Sequence, residues 1–207
     1  MGLGMAHPWW VNLLITVPFI SYVFWQRAPI SISRTHLLAA ALFAASFGVV
    51  EGTVVVYLRA VLGAAVGYST SLAGVAQFSE SLNQVKLEPS ALPSSLLKVE
   101  VFREVATIFM LVSVALLAAP NRQGRWAMFL WMFAIWDVTY YVTLWATIRW
   151  PSSITDSDVL FLTPVVWVSP VWFPLLVSTL SVGAVLLARQ PTLGKDSTTK
   201  RGPACQN

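Results

Sequence analysis

Five apolar runs, each about as long as a bilayer is thick, leave this chain few ways to fold. A helix needs ~20 apolar residues to cross the ~30 Å hydrocarbon core of a membrane. The runs cover about 9–25, 37–58, 99–118, 126–148 and 165–188. The expected fold class is therefore all-α: a polytopic bundle of five membrane helices in a single domain over 1–189, followed by a disordered cytoplasmic tail over 190–207. Composition agrees. Hydrophobic types make up 57% of the 207 residues and charged types 11%, against roughly 25% charged in a soluble domain.

Prolines qualify two of the spans. Pro18 lies inside the first, where a kink is expected. That run is read as a span, not a signal peptide, because Met1 to Pro8 carries no Lys or Arg and no A-x-A site follows. The fifth begins among Pro164, Pro170 and Pro174, so an irregular or re-entrant entry is expected before its helix forms. The connection over 60–98 is long for a compact domain. Leu72, Val75, Ala76, Phe78 and Leu82 form a helical stripe within it, which predicts a short amphipathic helix at the interface.

Loop charge sets the orientation. In a five-span chain Arg27, Arg34, Arg122, Arg125, Arg189, Lys195, Lys200 and Arg201 share one side. The other side holds Arg59, Lys86, Lys98 and Arg149 together with Glu80, Glu88, Asp156 and Asp158. The positive-inside rule puts the C-terminus in the cytoplasm and the N-terminus outside. Trp9, Trp10, Trp25, Trp126, Trp145 and Trp150 fall near the ends of the runs, where indole favours the headgroup region. The net charge of +4 comes from scattered residues, not one basic patch, so nucleic acid is not an expected partner.

Against this apolar background six ionisable residues stand inside or at the ends of the spans: Glu51, Arg59, Glu100, Arg103, Glu104 and Asp137. A charge at the bilayer centre costs at least ~2.5 kcal/mol, so it is normally paired or faces a protein interior. Glu100, Arg103 and Glu104 share a helix face with Thr107. Tyr140 shares the face of Asp137, with Tyr141 beside it, and these hydroxyls are the expected partners of its carboxylate. Four carboxylates against two guanidiniums leave a formal −2. A bound cation, protonated acids or water would each answer that imbalance. Ala44, Ala45, Gly48 and Gly52 beside Glu51 would let another helix approach closely.

Other chemistry is missing. C-x-x-C, G-x-S-x-G, H-E-x-x-H and P-loop motifs do not occur. His7 and His36 lie near opposite ends of the bundle and cannot share a haem. Cys205, the one cysteine, cannot form an internal disulfide. A hard cation on Glu51, Glu104 and Asp137 is chemically possible, but nothing in their spacing selects one. No catalytic residue, metal site or cofactor is assigned.

The segments Trp136-Asp137-Val138-Thr139-Tyr140-Tyr141, Trp150-Pro151, Asp158 to Leu162 and Pro164 to Pro170, with Glu51 to Arg59 and Arg103 to Thr107, form a distinctive set. In them the chain resembles a family of bacterial polytopic membrane proteins of unknown function. The resemblance covers most of the helical region and omits the tail. It implies a multi-pass protein of the bacterial inner membrane, and implies that the outer loop with Asp158 belongs with the buried charges. It carries no activity. Three functions are therefore expected in order: an accessory or structural subunit of a larger membrane complex, one of electron transfer included; an ion, proton or small-solute binding or transport protein; and an intramembrane enzyme with carboxylate chemistry. The bilayer and other membrane proteins are the expected partners.

Overall fold

The computed structural model describes residues 5–27, 30–84 and 94–189. The expected tail, Lys86, Glu88 and Cys205 lie outside them. The chain starts with a 3₁₀ segment, Trp9–Ile15, that passes directly into α1, Thr16–Arg27. Pro18 falls in the first turn of α1, where its missing N–H would have had no helical partner anyway. The helix type changes two residues before Pro18, from 3₁₀ to α. The second helix, α2, runs Arg34–Ala65, and α3 runs Leu72–Gln84. Then come α4, Ser94–Ala118, and α5, Arg122–Ile148. Caps mark two of the starts. The Ser33 hydroxyl accepts the His36 N–H at 3.1 Å, and the Asn121 side chain accepts that of Gly124 at 2.6 Å.

Among the described residues three helices are long and apolar enough to cross a membrane: α2, α4 from Leu96 onward, and α5. The last helix, α6, Trp172–Ala188, is apolar but has 17 residues.

Two expectations need correction. The non-helical entry expected at the start of the run 165–188 is present, but it is a strand, and the helix starts only at Trp172. Between α5 and α6 the chain forms an antiparallel hairpin, β1 Ser157–Phe161 with β2 Trp167–Pro170, so the fold is mostly helical and not all-α. Pro164 and Pro170 lack the N–H groups a helix would need, whereas a two-stranded hairpin tolerates proline at its ends. The register pairs Asp158 with Ser169 and Val159 with Val168, with an irregularity before Phe161. The second correction concerns 60–98, which is not one loop. Helix α2 continues to Ala65, and α3 follows after a turn at Gly67, whose φ of 93° suits glycine. The stripe expected in α3 is real, but Val75 and Phe78 are buried against the protein, with Phe78 over Gly63 of α2.

Helix α5 is central and packs against α2, α6 and α4; α1 packs on α6. The α2–α5 contact rests on small residues. Ala40, Ala44, Gly48 and Gly52 recur every four residues and are all buried, which draws the backbones together as in other membrane helix pairs. A Cβ on Gly48 would stand 2.6 Å from the Trp136 carbonyl oxygen, and one on Gly52 2.9 Å from the Thr143 side chain.

The two ends of the bundle are tied separately. At one end the N-terminal segment adds to the hairpin, with the His7 N–H to the Val168 carbonyl and the reverse bond both at 2.8 Å. At the other, Ile30 bridges to Arg189, whose Nε donates to the Ile32 carbonyl at 2.8 Å. Between them lies an apolar core that includes Trp25, Leu37, Leu111, Met128, Met132 and Val185.

The seam makes a paired prediction. Gly48→Ala should destabilise the protein by about 1–3 kcal/mol, as overpacking does elsewhere. Gly183→Ala, where an added Cβ meets nothing within 4 Å, should be neutral or stabilising, since alanine is the better helix former. Thermal unfolding in detergent reads both, and equal midpoints would contradict the packing described.

Candidate functional site

The charged residues collect at the hairpin end. At ~1.5 Å per residue, Glu51 lies ~26 Å and Arg59 ~38 Å along α2 from Arg34, and Asp137 ~22 Å along α5 from Arg122. Helix α4 runs the opposite way, so Glu100, Arg103 and Glu104 come beside them. Thr107 is also there, one turn further along.

Arg103 is the hub of one knot. Its guanidinium pairs with Glu51 across the helix interface, and its Nη2 and Nε both reach Glu100 Oε2 at 2.8 Å. Thr107 donates to the other Glu51 oxygen at 3.0 Å, so both carboxylate oxygens are held. Glu104 does not join its neighbours on α4, contrary to the expectation of one local cluster. It turns to the hairpin connection and accepts the Leu162 N–H at 2.7 Å, the Thr163 N–H at 3.2 Å and the Thr163 hydroxyl. A carboxylate with three donors pins α4 to the loop.

The second knot joins α2 to the hairpin. Arg59 Nη2 lies 3.8 Å from Asp158 Oδ1, and the guanidinium sits over the Trp150 ring at 3.9 Å from its centroid. Tyr141 donates to Asp158 Oδ2 at 3.0 Å. Burial pushes the Asp158 carboxyl above the usual carboxylate range, and Arg59, the Tyr141 hydroxyl and the Val159 amide pull the other way. Arg59 Nη1 is buried with no hydrogen-bond partner among the described residues.

Asp137 stands apart. Its one hydrogen bond among the described residues comes from the Ser178 hydroxyl of α6 at 2.8 Å. The expected tyrosine hydroxyls do not reach it: Tyr141 serves Asp158 instead. The physical reason is the hairpin, which brings Asp158 within reach of the Tyr141 hydroxyl at the C-terminal half of α5. Tyr140 packs edge-on against Tyr141, with ring centroids 5.1 Å apart, and lies in the combined field of Asp158, Arg59, Arg103 and Asp137.

Four participants were not singled out as site residues from the sequence: Ser178, Leu162, Thr163 and Trp150. Ser178 is one of several hydroxyls in an apolar run, and its burial in α6 is visible only in the structure. Leu162 contributes a backbone N–H, which has no sequence signature. Trp150 read as an interfacial anchor, while its ring faces Arg59. Glu51, Glu104 and Asp137 have different partners, and no group of three His, Cys, Asp or Glu side chains among the described residues is placed to hold a metal ion.

Two measurements test this geometry. Arg59→Met should cost about 3 kcal/mol by leaving Asp158 buried and unpaired. Adding Asp158→Asn should restore at least ~1 kcal/mol of that, whereas independent sites would add. Glu104→Ala should speed amide exchange at Leu162 and Thr163 by about tenfold or more, the scale of hydrogen bonds to a charged acceptor, while Glu100→Ala leaves those amides unchanged. Compared with known proteins, the chain matches no family model, and no curated protein and no solved structure is significantly similar to it.

Proposed function

We propose that this protein is a five-pass integral membrane protein that serves as an accessory or structural subunit of a larger membrane assembly, its polar cluster acting as a clasp. Support for five passes comes from length and from the tied ends. The 3₁₀ segment and α1 together reach ~32 Å, at ~2.0 and ~1.5 Å per residue, and α6 reaches ~25 Å. His7 and Arg189 lie at opposite ends, as an odd number of crossings requires. Arg27, Arg34, Arg122, Arg125 and Arg189 share the Arg189 end, which favours a cytoplasmic C-terminus. A bacterial inner membrane follows from the resemblance noted above.

The observation that carries the subunit reading is the outer face of α4. Only 17% of its spanning window is buried. Phe102, Ala106, Phe109, Ser113 and Leu116 are exposed along it and alternate large and small at three- and four-residue steps. That pattern suits knobs from a second helix. The carboxylates Glu51, Glu104, Asp137 and Asp158 already have partners in the chain, which suits a clasp better than a reaction centre.

Purified in mild detergent, the wild type should carry a different protein in stoichiometric amount, seen by native mass. Ala106→Phe with Ser113→Phe should release it as a folded monomer. A wild type that is itself a lone monomer or a homodimer would overturn the reading. Proton-coupled transport is the second reading, favoured by Asp137, a deep acid with a neutral partner. It requires that Asp137→Asn abolish proton flux in proteoliposomes while the protein still folds.

A further inference from the structure

The clasp uses one end of the bundle. The other end has a feature that it leaves unexplained. A groove of about 450 Å³ runs between α1 and α5. Its walls are Val17, Ile20 and Phe24 on one side and Trp126 on the other, and it ends at Arg122 and Gln123. The Trp126 indole donates to the Ser21 hydroxyl at 2.8 Å, which closes the floor without placing a free polar group in it. From Val17 to Phe24 is ~10 Å of helix, about two-thirds of the ~15 Å of hydrocarbon in one leaflet.

Among the described residues, charge at this end is one-sided. Arg27, Arg34, Arg122, Arg125 and Arg189 are here, and none is in an ion pair among the described residues. Arg125 and Arg189 spend their Nε groups on the carbonyls of Ala119 and Ile32. Arg122 is exposed at the mouth of the groove. The nearest acid along α5 is Asp137, ~22 Å away, well beyond the ~8 Å screening length of physiological salt. An apolar channel of membrane depth that opens beneath a guanidinium with no ion-pair partner among the described residues complements one kind of molecule: an acyl chain with an anionic head.

We propose that this groove binds an anionic phospholipid, with one acyl chain along Val17, Ile20 and Phe24 and the phosphate headgroup on Arg122 and Gln123. The site rests on the membrane reading but not on the subunit reading.

The test uses the full chain reconstituted with phosphatidylglycerol, phosphatidylcholine or an equal mixture, with retained lipid counted by native mass spectrometry. Wild type should retain phosphatidylglycerol over phosphatidylcholine by about fivefold or more, the scale of one arginine near a charged surface. Arg122→Gln should remove that preference. Ile20→Trp, which fills the groove and keeps every charge, should reduce retention of both lipids. Arg34→Gln, at the same end but outside the groove, should change neither, and inorganic phosphate at millimolar level should not compete. Equal retention of the two lipids by wild type, an Arg34→Gln loss as large as that of Arg122→Gln, or displacement by phosphate would each overturn the site. Circular dichroism guards against misfolded variants, with Ile20→Trp as the independent arm if Arg122→Gln unfolds. Failure to float with either vesicle would bring down the membrane reading too, whereas flotation without preference removes the site alone.

Discussion

Glu51 and Arg103 hold one another because a charge in surroundings this apolar is costly unless it is paired. Once that pair forms, much else is determined. It fixes α4 against α2 at one height and one rotation, and it brings Glu100 and Thr107 into reach of the same two groups. Glu104, one residue beyond the guanidinium, is then turned toward the hairpin, where backbone donors meet it. A buried ion pair contributes little net stability, since desolvation offsets most of the attraction. Its value here is geometric, because few other arrangements leave both charges satisfied.

A different interface is set by packing, the seam of small residues between α2 and α5. Ala44, Gly48 and Gly52 bracket Glu51 on the buried side of α2. Dispersion and close backbone approach hold α2 on α5, and the charges fill the wider space left where α4 leans on the pair. Packing and electrostatics therefore act on different interfaces of the same three helices. The division also explains why α4 is buried so little along its apolar length yet held firmly at its charged end.

Much of this was legible in the sequence. The charged positions stand out against a composition with few charges, and the small residues beside Glu51 repeat every four. Helical runs near 37–58, 99–118 and 126–148 follow from apolar length alone, and the helices seen there extend past each by a few residues. The hairpin was not legible. Val165-Val166-Trp167-Val168 is a short apolar run, and such runs do not distinguish a strand from the start of a helix. Its partner strand starts just after Asp156 and includes Asp158, and that acidic stretch read as loop. Missing the hairpin meant missing the true partners of Glu104 and Tyr141, because both bind to segments that the hairpin positions. Asp137 was recognised as deep, but Ser178 lies on another helix 41 positions away, and only the packing of α5 on α6 brings the two together.

These pairings are far apart along the chain, and that has a consequence for how the protein is made. Arg103 follows Glu51 by 52 positions, which at ~5–20 residues per second is a delay of roughly 3–10 s. Throughout that interval Glu51 is without the guanidinium it pairs with in the folded chain. At a bilayer centre a lone charge would cost ~2.5–3.5 kcal/mol for that time. The order of synthesis and the order of pairing are therefore linked.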